Sequence, residues 1–205
     1  MPIRPGRNVL CRASVAALVL AFAATGAVAA APGSSGDHAT MYYVSVGDSL
    51  AAGVQPTGDP DNMDRTTEGY PEQLLQIARS ESPKLKLVKL GCPGETTTTL
   101  IEGGICRYPH GSQLDEAVSF LHAHRKMVAF ITIDIGANDF ACYEPACIEA
   151  GVGFISTNLP RILGALRAAA GPDVPIAGMT IYNPFLGYWL TGPEGQAYAR
   201  TRHLR

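Results

Sequence analysis

A serine follows a short apolar stretch in the first quarter of the chain. Residues Met41–Val46 have the length and composition of a buried β-strand, and the tetrapeptide Gly47-Asp48-Ser49-Leu50 comes directly after them. In an open parallel sheet, ligands bind just outside the carboxyl ends of the strands. A serine held there can present its hydroxyl to a substrate while its own N–H faces the oxyanion that develops during acyl transfer. The sequence therefore predicts Ser49 as a nucleophile.

Two further polar segments also follow predicted strands. Gly94 lies in the sequence LGCPGET after the apolar run Leu85–Leu90, and Asn138 lies in the sequence IDIGAND at the end of the run Val128–Ile135. Serine, glycine and asparagine are therefore expected at the sheet edge where ligands bind. Taken singly, each of the three segments also fits an ordinary turn.

In order and spacing, the three segments resemble blocks I, II and III of the SGNH hydrolase family, also called GDSL esterases and lipases. The pattern is most similar to secreted actinobacterial-type members and spans about residues 42–185. The resemblance implies that the oxyanion is held by the Ser49 N–H, the Gly94 N–H and the Asn138 side-chain amide, donors that are fixed before the reaction. It also implies a carboxylic ester substrate, either a small molecule or a lipid or carbohydrate ester, and no cofactor or metal.

The general base of that family is not found in this sequence. The family completes its catalytic triad with an Asp-x-x-His segment near the C-terminus, and no histidine here has an acidic residue three positions before it. The histidines are His38, His110, His122, His124 and His203. The sequence also ends before the fifth strand and last helix that the resemblance implies. We therefore expect the N-terminal two-thirds of such an esterase, with doubtful activity in this form. The alternative is an inactive remnant or a non-catalytic ligand-binding module of the same fold.

The N-terminus has the pattern of a secretory signal peptide. Arg4, Arg7 and Arg12 precede the apolar run Ala13–Ala24, and small residues follow up to Ala29. The apolar run is short and rich in alanine, which makes an uncleaved membrane anchor the lesser alternative. We therefore predict a signal peptide over residues 1–29, a flexible leader over 30–40 and an incomplete hydrolase domain over 41–205. The protein is expected to be secreted, without a stable membrane anchor after cleavage.

The charge of the remaining chain argues against a nucleic-acid partner. Residues 1–29 contain three of the 16 basic residues and none of the 18 acidic ones, so cleavage leaves a net charge of −5. No basic patch remains that would bind a phosphate backbone. The length allows one domain with a substantial core but not a second domain.

Four cysteines remain after cleavage, Cys92, Cys106, Cys142 and Cys147. Sequence alone allows three pairings. We predict the local one, Cys92 with Cys106 and Cys142 with Cys147, because each pair brackets a loop attached to one of the three segments. Free thiols or a zinc site are the alternatives, although the spacing is poor for zinc.

Strands alternate with helices along the chain, which predicts an α/β fold: a three-layer α/β/α sandwich with a parallel sheet. The resemblance further implies a flavodoxin-like SGNH fold that lacks its last strand and helix. We expect a loop over residues 51–69 and a fourth strand over 175–181. The threonines of 96–99 are expected to begin a helix or turn after Gly94, where their hydroxyls cap free N–H groups. The first predicted helix begins at Tyr70, and the second spans about 112–124. The third spans about 152–170, with Pro160 at a start or kink. Asp134 and Asp139 are not predicted to be catalytic, and Asp139 is expected to cap the turn that follows it.

Overall fold

The computed structural model of this chain describes residues 39–57, 59–142, 144–180 and 184–201. The predicted signal peptide, most of the leader, His38 and His203 lie outside the described residues, as does the end of the predicted strand over 175–181. The described residues all fall within one unit of contacting residues, Asp37–Arg205. No helix in this described part combines the length and the apolar character needed to cross a membrane.

The elements follow one another mostly as alternating strands and helices. In chain order they are β1 (Met41–Gly47), β2 (Val54–Thr57), β3 (Asp59–Arg65), α1 (Tyr70–Ala78), β4 (Leu85–Lys89), α2 (Thr97–Glu102), α3 (Gln113–Ala123), β5 (Val128–Asp134), a 3₁₀ turn (Ala137–Asp139), α4 (Pro145–Ala170), β6 (Ile176–Gly178), a 3₁₀ helix (Pro184–Thr191) and α5 (Pro193–Thr201).

The main sheet is parallel and has the strand order β4-β1-β5-β6. In β1, Met41 pairs with Leu85 on one side, while Gly47 pairs with Asp134 on the other. Because parallel strands share a direction, β1, β4 and β5 end at the same edge of the sheet. The predicted α/β fold with a parallel sheet is confirmed, and the three segments singled out in the sequence begin at this edge.

Side chains of β1 alternate between two apolar clusters, one on each face of the sheet. Tyr43 packs with Leu75 of α1 and Leu85 of β4. Val44 and Val46 point to the opposite face, where the cluster includes Leu100, Leu121 and Ile162 from α2, α3 and α4. Successive side chains of a strand point to opposite faces, so β1 contributes to the apolar cluster on each side of the sheet. Full burial of each such aliphatic side chain contributes about 1.5–3 kcal/mol, so helices on both sides hold the sheet edge in place.

The segment predicted as a loop over residues 51–69 contains a hairpin. Its strands β2 and β3 are antiparallel, with Val54 opposite Arg65 and Gln55 opposite Asp64. The prediction of an unstructured loop was wrong because the segment is polar and lacks an apolar period of two. Main-chain pairing needs no such period, and a hydrogen bond from Thr57 Oγ1 to Asp64 Oδ2 (3.0 Å) joins the two strands at the surface.

Helix α4 begins earlier than the sequence predicted. It starts at Pro145, a residue suited to the first turn, and Pro160 lies inside it rather than at its start. The glycines of its first half made this stretch look less helical than it is. Gly151 has a packing role there, because a side chain at this position would overlap the ring of Phe140.

Candidate active site

Ser49 lies in the turn that follows β1. Gly47 ends the strand with a φ of 138°, and a side chain there would overlap the carbonyl oxygen of Asp134 on β5, so the position requires glycine. The turn closes when the Ala52 N–H donates to the Asp48 carbonyl (3.0 Å). Ser49 is half-buried, and no other described residue forms a hydrogen bond with its hydroxyl. The hydroxyl is thus available to a ligand.

Gly94 lies in the loop between β4 and α2, and this loop packs on the serine turn. The Cys92 N–H donates to the Gly47 carbonyl (3.0 Å). A side chain at Gly91 would overlap the main chain of residues 51–52. Gly94 has a φ of 82°, and no heavy atom lies within 4 Å of the position a Cβ would take. The side of Gly94 on which a side chain would lie therefore faces open space.

Asn138 lies in the 3₁₀ turn after β5, and its side chain reaches the Gly94 loop. Its Nδ2 donates to the Glu95 carbonyl (2.9 Å). A side-chain amide carries two N–H donors, so one remains for a ligand. The next residue, Asp139, accepts hydrogen bonds from the Thr97 N–H (2.9 Å) and hydroxyl (2.5 Å). The prediction that Asp139 caps its own following turn was wrong, because its carboxylate caps the first turn of α2 instead.

The structure therefore brings the three predicted segments together. The serine turn contacts the Gly94 loop through its main chain, and that loop contacts the Asn138 turn through two side chains. The serine turn also meets β5 directly, where the Asp48 N–H donates to the Asp134 carbonyl (2.9 Å). Each segment is held by its two neighbours. Such an arrangement can present a serine hydroxyl and several N–H donors to one ligand with little reorganisation.

Two carboxylates, Asp48 and Asp134, lie beside the serine turn. Asp48 Oδ1 accepts a hydrogen bond from the Leu50 N–H (3.0 Å), whereas Asp134 Oδ2 is buried without a partner among the described residues. Burial, and then the negative charge of Asp48, raise the pKa of Asp134 to about 6. Burial also raises the pKa of Asp48, against the opposing effect of the Leu50 N–H. Asp134 therefore holds its proton well above the pH at which an exposed aspartic acid loses it.

The described histidines are engaged away from Ser49. His124 Nδ1 pairs with the carbonyl of Phe120 (2.9 Å) at the end of α3, and His122 is exposed on the same helix. His110 lies between two side chains, with Nδ1 2.7 Å from Glu116 Oε2 and Nε2 3.0 Å from Ser119 Oγ. None of the histidines in the described part of the chain is hydrogen-bonded to the Ser49 hydroxyl.

The group Glu116, His110 and Ser119 has the order of a serine triad, but it lacks an oxyanion site. Ser119 lies inside α3, where main-chain N–H groups donate to carbonyls one turn earlier. They are therefore not free to stabilise an oxyanion. The group also lies on an exposed surface. We interpret it as a set of surface hydrogen bonds.

The cysteines are joined in the predicted local pairing. Cys92 and Cys106 have an S–S distance of 2.06 Å, and Cys142 and Cys147 one of 2.05 Å. The first bridge closes the loop that contains Gly94, and the second lies between the Asn138 turn and the first turn of α4. Both bridges therefore brace segments of the candidate site.

Gln113 was not predicted from the sequence, although it contacts two of the three segments. It is the first residue of α3 and is fully buried. Its Oε1 accepts from the Gly47 N–H (2.6 Å), and its Nε2 donates to Glu95 Oε2 (3.0 Å). A signal was present, because Gln113 lies four and eight residues before the buried Ala117 and Leu121. A polar residue on the buried stripe of an amphipathic helix requires specific partners.

A comparison with models of protein families identifies one family. The model of the GDSL-like lipase/acylhydrolase family matches residues 45–203. No curated protein matches the chain. Similar solved structures include Est24, a carbohydrate acetylesterase from Sinorhizobium meliloti, with a TM-score of 0.46 and 14% identity over 80% of this chain and 76% of that one. The native aryl esterase of M. smegmatis has a TM-score of 0.39 and 18% identity over 80% and 78%.

A further similar structure is AlinE4, described as an SGNH-hydrolase family esterase. Its TM-score is 0.38 at 19% identity, over 78% of this chain and 66% of that one. In the S13A mutant of AlinE4 the match covers 61% of the mutant chain. The present chain thus spans somewhat less than two-thirds of the length of AlinE4.

Proposed function

The chain belongs to the GDSL-like lipase/acylhydrolase family, and from this premise we propose that it is a serine esterase that hydrolyses carboxylic esters through an acyl-enzyme. The observation that carries the proposal is the mutual contact of the Ser49, Gly94 and Asn138 segments at one edge of the sheet. Ser49 is assigned as the nucleophile. Its own N–H, the Gly94 N–H and the free N–H of the Asn138 amide are assigned as the oxyanion donors.

In the proposed reaction, Ser49 Oγ forms a bond to the acyl carbon while its proton passes to a general base. The carbonyl π electrons move onto oxygen, which the three donors stabilise, and one such donor typically lowers the barrier by about 3–4 kcal/mol. Collapse of the intermediate breaks the bond to the alkoxy group, which takes the proton from the base and leaves as an alcohol. Water then attacks the acyl carbon of the acyl-serine by the same steps. The acid is released, and Ser49 regains its proton from the base.

The general base of this proposal is not one of the described histidines. His110 and His124 have hydrogen-bond partners at α3, and His122 is exposed on the same helix. Asp48 accepts a hydrogen bond from the Leu50 N–H, and Asp134 Oδ2 is buried without a partner among the described residues. An imidazole from outside the described residues, oriented by an acidic residue as in serine triads, fits the missing role. Loss of this base alone can reduce kcat by about 10⁶.

Secretion is part of the proposal. The basic, apolar and small residues of positions 1–29 follow the order of a secretory signal peptide. Paired cysteines are stable in oxidising compartments, and the two bridges of the structure agree with export. Recovery of the protein outside the cell, with an N-terminus near Ala30, is the expected result; retention of Arg4 in the mature protein would contradict it.

A non-catalytic ligand-binding module is the second candidate function. The observation that favours it is that no described histidine is hydrogen-bonded to Ser49. Such a module would keep the N–H donors and bind an ester or a carboxylate at them without turnover.

Covalent labelling distinguishes the two functions. The oxidised chain is treated with a fluorophosphonate in the presence and absence of free imidazole as an added base, and the labelled peptide is identified by mass spectrometry. A serine esterase takes the label at Ser49, and imidazole accelerates the labelling if the base is absent. Ser49→Ala loses the label, whereas the control Ser119→Ala keeps it. Labelling at Ser119 would overturn the assignment of the nucleophile, and no labelling under any condition would favour the ligand-binding module.

A further inference from the structure

Gln113 has more polar contacts than its place on an apolar helix face would require. It is fully buried at the start of α3, and its side-chain amide has four hydrogen-bonded contacts. Two of these are to the main chain of Gly47, one is to Glu95 and one is to Tyr108. Buried polar groups are almost always paired, and a side chain with every group engaged has one orientation.

The contacts with Gly47 fix the end of β1. Gln113 Oε1 accepts from the Gly47 N–H (2.6 Å), and Nε2 donates to the Gly47 carbonyl (3.0 Å). The amide therefore pairs with this residue much as a neighbouring strand would. The same carbonyl also accepts from the Cys92 N–H (3.0 Å). Because Gly47 lies two residues before Ser49, this pairing determines where the serine turn begins.

The remaining contacts of Gln113 reach the Gly94 loop. Nε2 also lies within hydrogen-bond distance of Glu95 Oε2 (3.0 Å) and of the Tyr108 hydroxyl (3.1 Å). Because the amide has only two N–H groups, one of them is shared between two of the three acceptors. The Tyr108 hydroxyl in turn donates to the Leu90 carbonyl (2.5 Å) at the end of β4. Glu95 directly follows Gly94, and its own carbonyl accepts from Asn138 Nδ2 (2.9 Å). One side chain thus contacts the serine segment and the residue that joins the other two segments.

We propose that Gln113 is a positioning residue that sets the place of the Ser49 nucleophile relative to the oxyanion donors of Gly94 and Asn138. This inference rests on the proposed function for its catalytic consequence, whereas the geometric coupling of the two loops does not. A misplacement of about 1 Å between reacting groups can reduce a rate by about 10²-fold. The effect of Gln113 is therefore expected in kcat and not in KM.

The test compares Gln113→Met, which keeps the length of the side chain without hydrogen bonds, with a matched control. Tyr43→Phe also removes a fully buried hydrogen bond, between the Tyr43 hydroxyl and Thr132 Oγ1 (2.8 Å), but on the opposite face of the sheet. Amide hydrogen exchange is measured by NMR for each variant. We expect Gln113→Met to accelerate exchange at Gly47 and Cys92 at least tenfold more than at Ile131, and Tyr43→Phe to show no such preference.

Kinetics supply the second readout. In a form of the protein that has the general base, Gln113→Met is expected to lower kcat per folded molecule 10–100-fold for the Ser49-dependent hydrolysis of p-nitrophenyl acetate, with KM within about twofold. If it behaves like Tyr43→Phe in both exchange and kcat, Gln113 has only a structural role and the inference is overturned. If Ser49→Ala equals the wild type in hydrolysis, the proposed function has failed, and the exchange pattern still decides whether Gln113 couples the two loops.

A second variant covers the case in which Gln113→Met does not fold. In Gln113→Glu, a protonated carboxyl can still accept from the Gly47 N–H and donate to one partner, whereas the ionised form can only accept. Exchange at Gly47 and Cys92 should therefore increase with pH beyond the rise seen at Ile131. Adding Glu95→Gln supplies a new donor to the ionised carboxylate of the Gln113→Glu variant and should restore at least half of the lost protection. No pH effect and no restoration would overturn the inference.

Discussion

At the scale of single residues, we assign different roles to the two N–H groups of the Asn138 side-chain amide. One N–H donates to the Glu95 carbonyl (2.9 Å) and so fixes the side chain, and the other is the donor that we propose for the oxyanion. We expect Asn138→Ala to lower kcat about 10²–10³-fold with little change in KM, because the second bond is strongest in the transition state. Steady-state hydrolysis of p-nitrophenyl acetate, by a form of the protein that has the general base, measures both constants.

Gln73→Ala is the control for the Asn138 prediction, since it removes an exposed side-chain amide on α1. It should leave both kinetic constants unchanged. A loss confined to KM in Asn138→Ala would show that this amide binds substrate without stabilising the oxyanion.

The buried carboxylate of Asp134 should make stability fall as pH rises. Its folded pKa, about 6, lies above the ordinary 3.8, so between these values the folded state binds more protons than the unfolded state. Stability is therefore lost on raising the pH through this window. The full shift corresponds to about 3 kcal/mol, and partial solvent exposure reduces the expected loss to about 1 kcal/mol.

Asp134→Asn tests this expectation. Urea unfolding at pH 4 and pH 7 should show a smaller loss of stability between the two pH values in Asp134→Asn than in the wild type. Asp173→Asn, which removes an exposed carboxylate, should retain the wild-type loss. An equal loss in Asp134→Asn and wild type would mean that Asp134 is not the group that titrates in this window.

The sequence predicted the residues of the candidate site better than it predicted the residues that hold them in position. Ser49, Gly94 and Asn138 could be located because each follows an apolar strand, and parallel strands end at one edge. Contacts such as those of Gln113 with Gly47, or of Asp134 with Asp48, depend on how separate elements pack together, which the pattern of one segment does not determine.

At the scale of elements, the start of α2 has one cap that the local sequence predicted and one that it did not. The threonines predicted to cap its start do so, since Thr96 and Thr99 form a reciprocal capping box. The additional cap from Asp139 comes from 42 residues away and was not readable. The same limit applies to the β2–β3 hairpin and to the first turns of α4, where main-chain pairing and the contact of Gly151 with Phe140 outweigh a weak local pattern.

The Cys92–Cys106 bridge should support activity more than it supports the fold. It closes a loop with a sequence separation of 14, and a loop of this size contributes about 3 kcal/mol in the chain-entropy model. Inside it lies Gly94, and two residues beyond it lies Tyr108, which contacts Gln113. We expect the double variant Cys92→Ser/Cys106→Ser to lose turnover at temperatures where the far-UV circular dichroism is still native.

Cys142→Ser/Cys147→Ser is the comparison for that double variant, because its loop has a sequence separation of only 5 and lies after the Asn138 turn. The smaller loop predicts a smaller loss of thermal stability. If activity is unchanged after removal of the first bridge, the proposed effect of that bridge on the Gly94 loop is wrong.

At the scale of the whole molecule, the layered arrangement followed from the sequence because helices and strands alternate and β1 is apolar on both faces. In the described sheet, β6 is the last strand of the order and pairs with β5 on one side. Beside it lies an apolar groove lined by Ile133, Ile135, Leu159, Leu163, Ile176 and Met179. Unpaired sheet edges of this kind favour association between molecules.

The segment from Pro184 to Thr201 adds a second apolar surface. Leu190 is 90% exposed, and Leu186, Tyr188, Trp189 and Tyr198 of the same segment are exposed as well. Grouped apolar side chains in water promote association, whereas scattered ones are ordinary. We therefore expect the protein to self-associate at high concentration and Leu190→Gln to reduce that association, as measured by light scattering, without a change in melting temperature.

Ile77→Gln separates the effect of grouping from that of exposure alone. Ile77 is 70% exposed on α1, so the same change of chemistry removes a similar apolar area from a different part of the surface. If the patch around Leu190 drives association, Ile77→Gln should leave the scattering at the wild-type level. Equal reductions in both variants would show that association follows total exposed apolar area, and the segment from Pro184 to Thr201 would then have no special part in it.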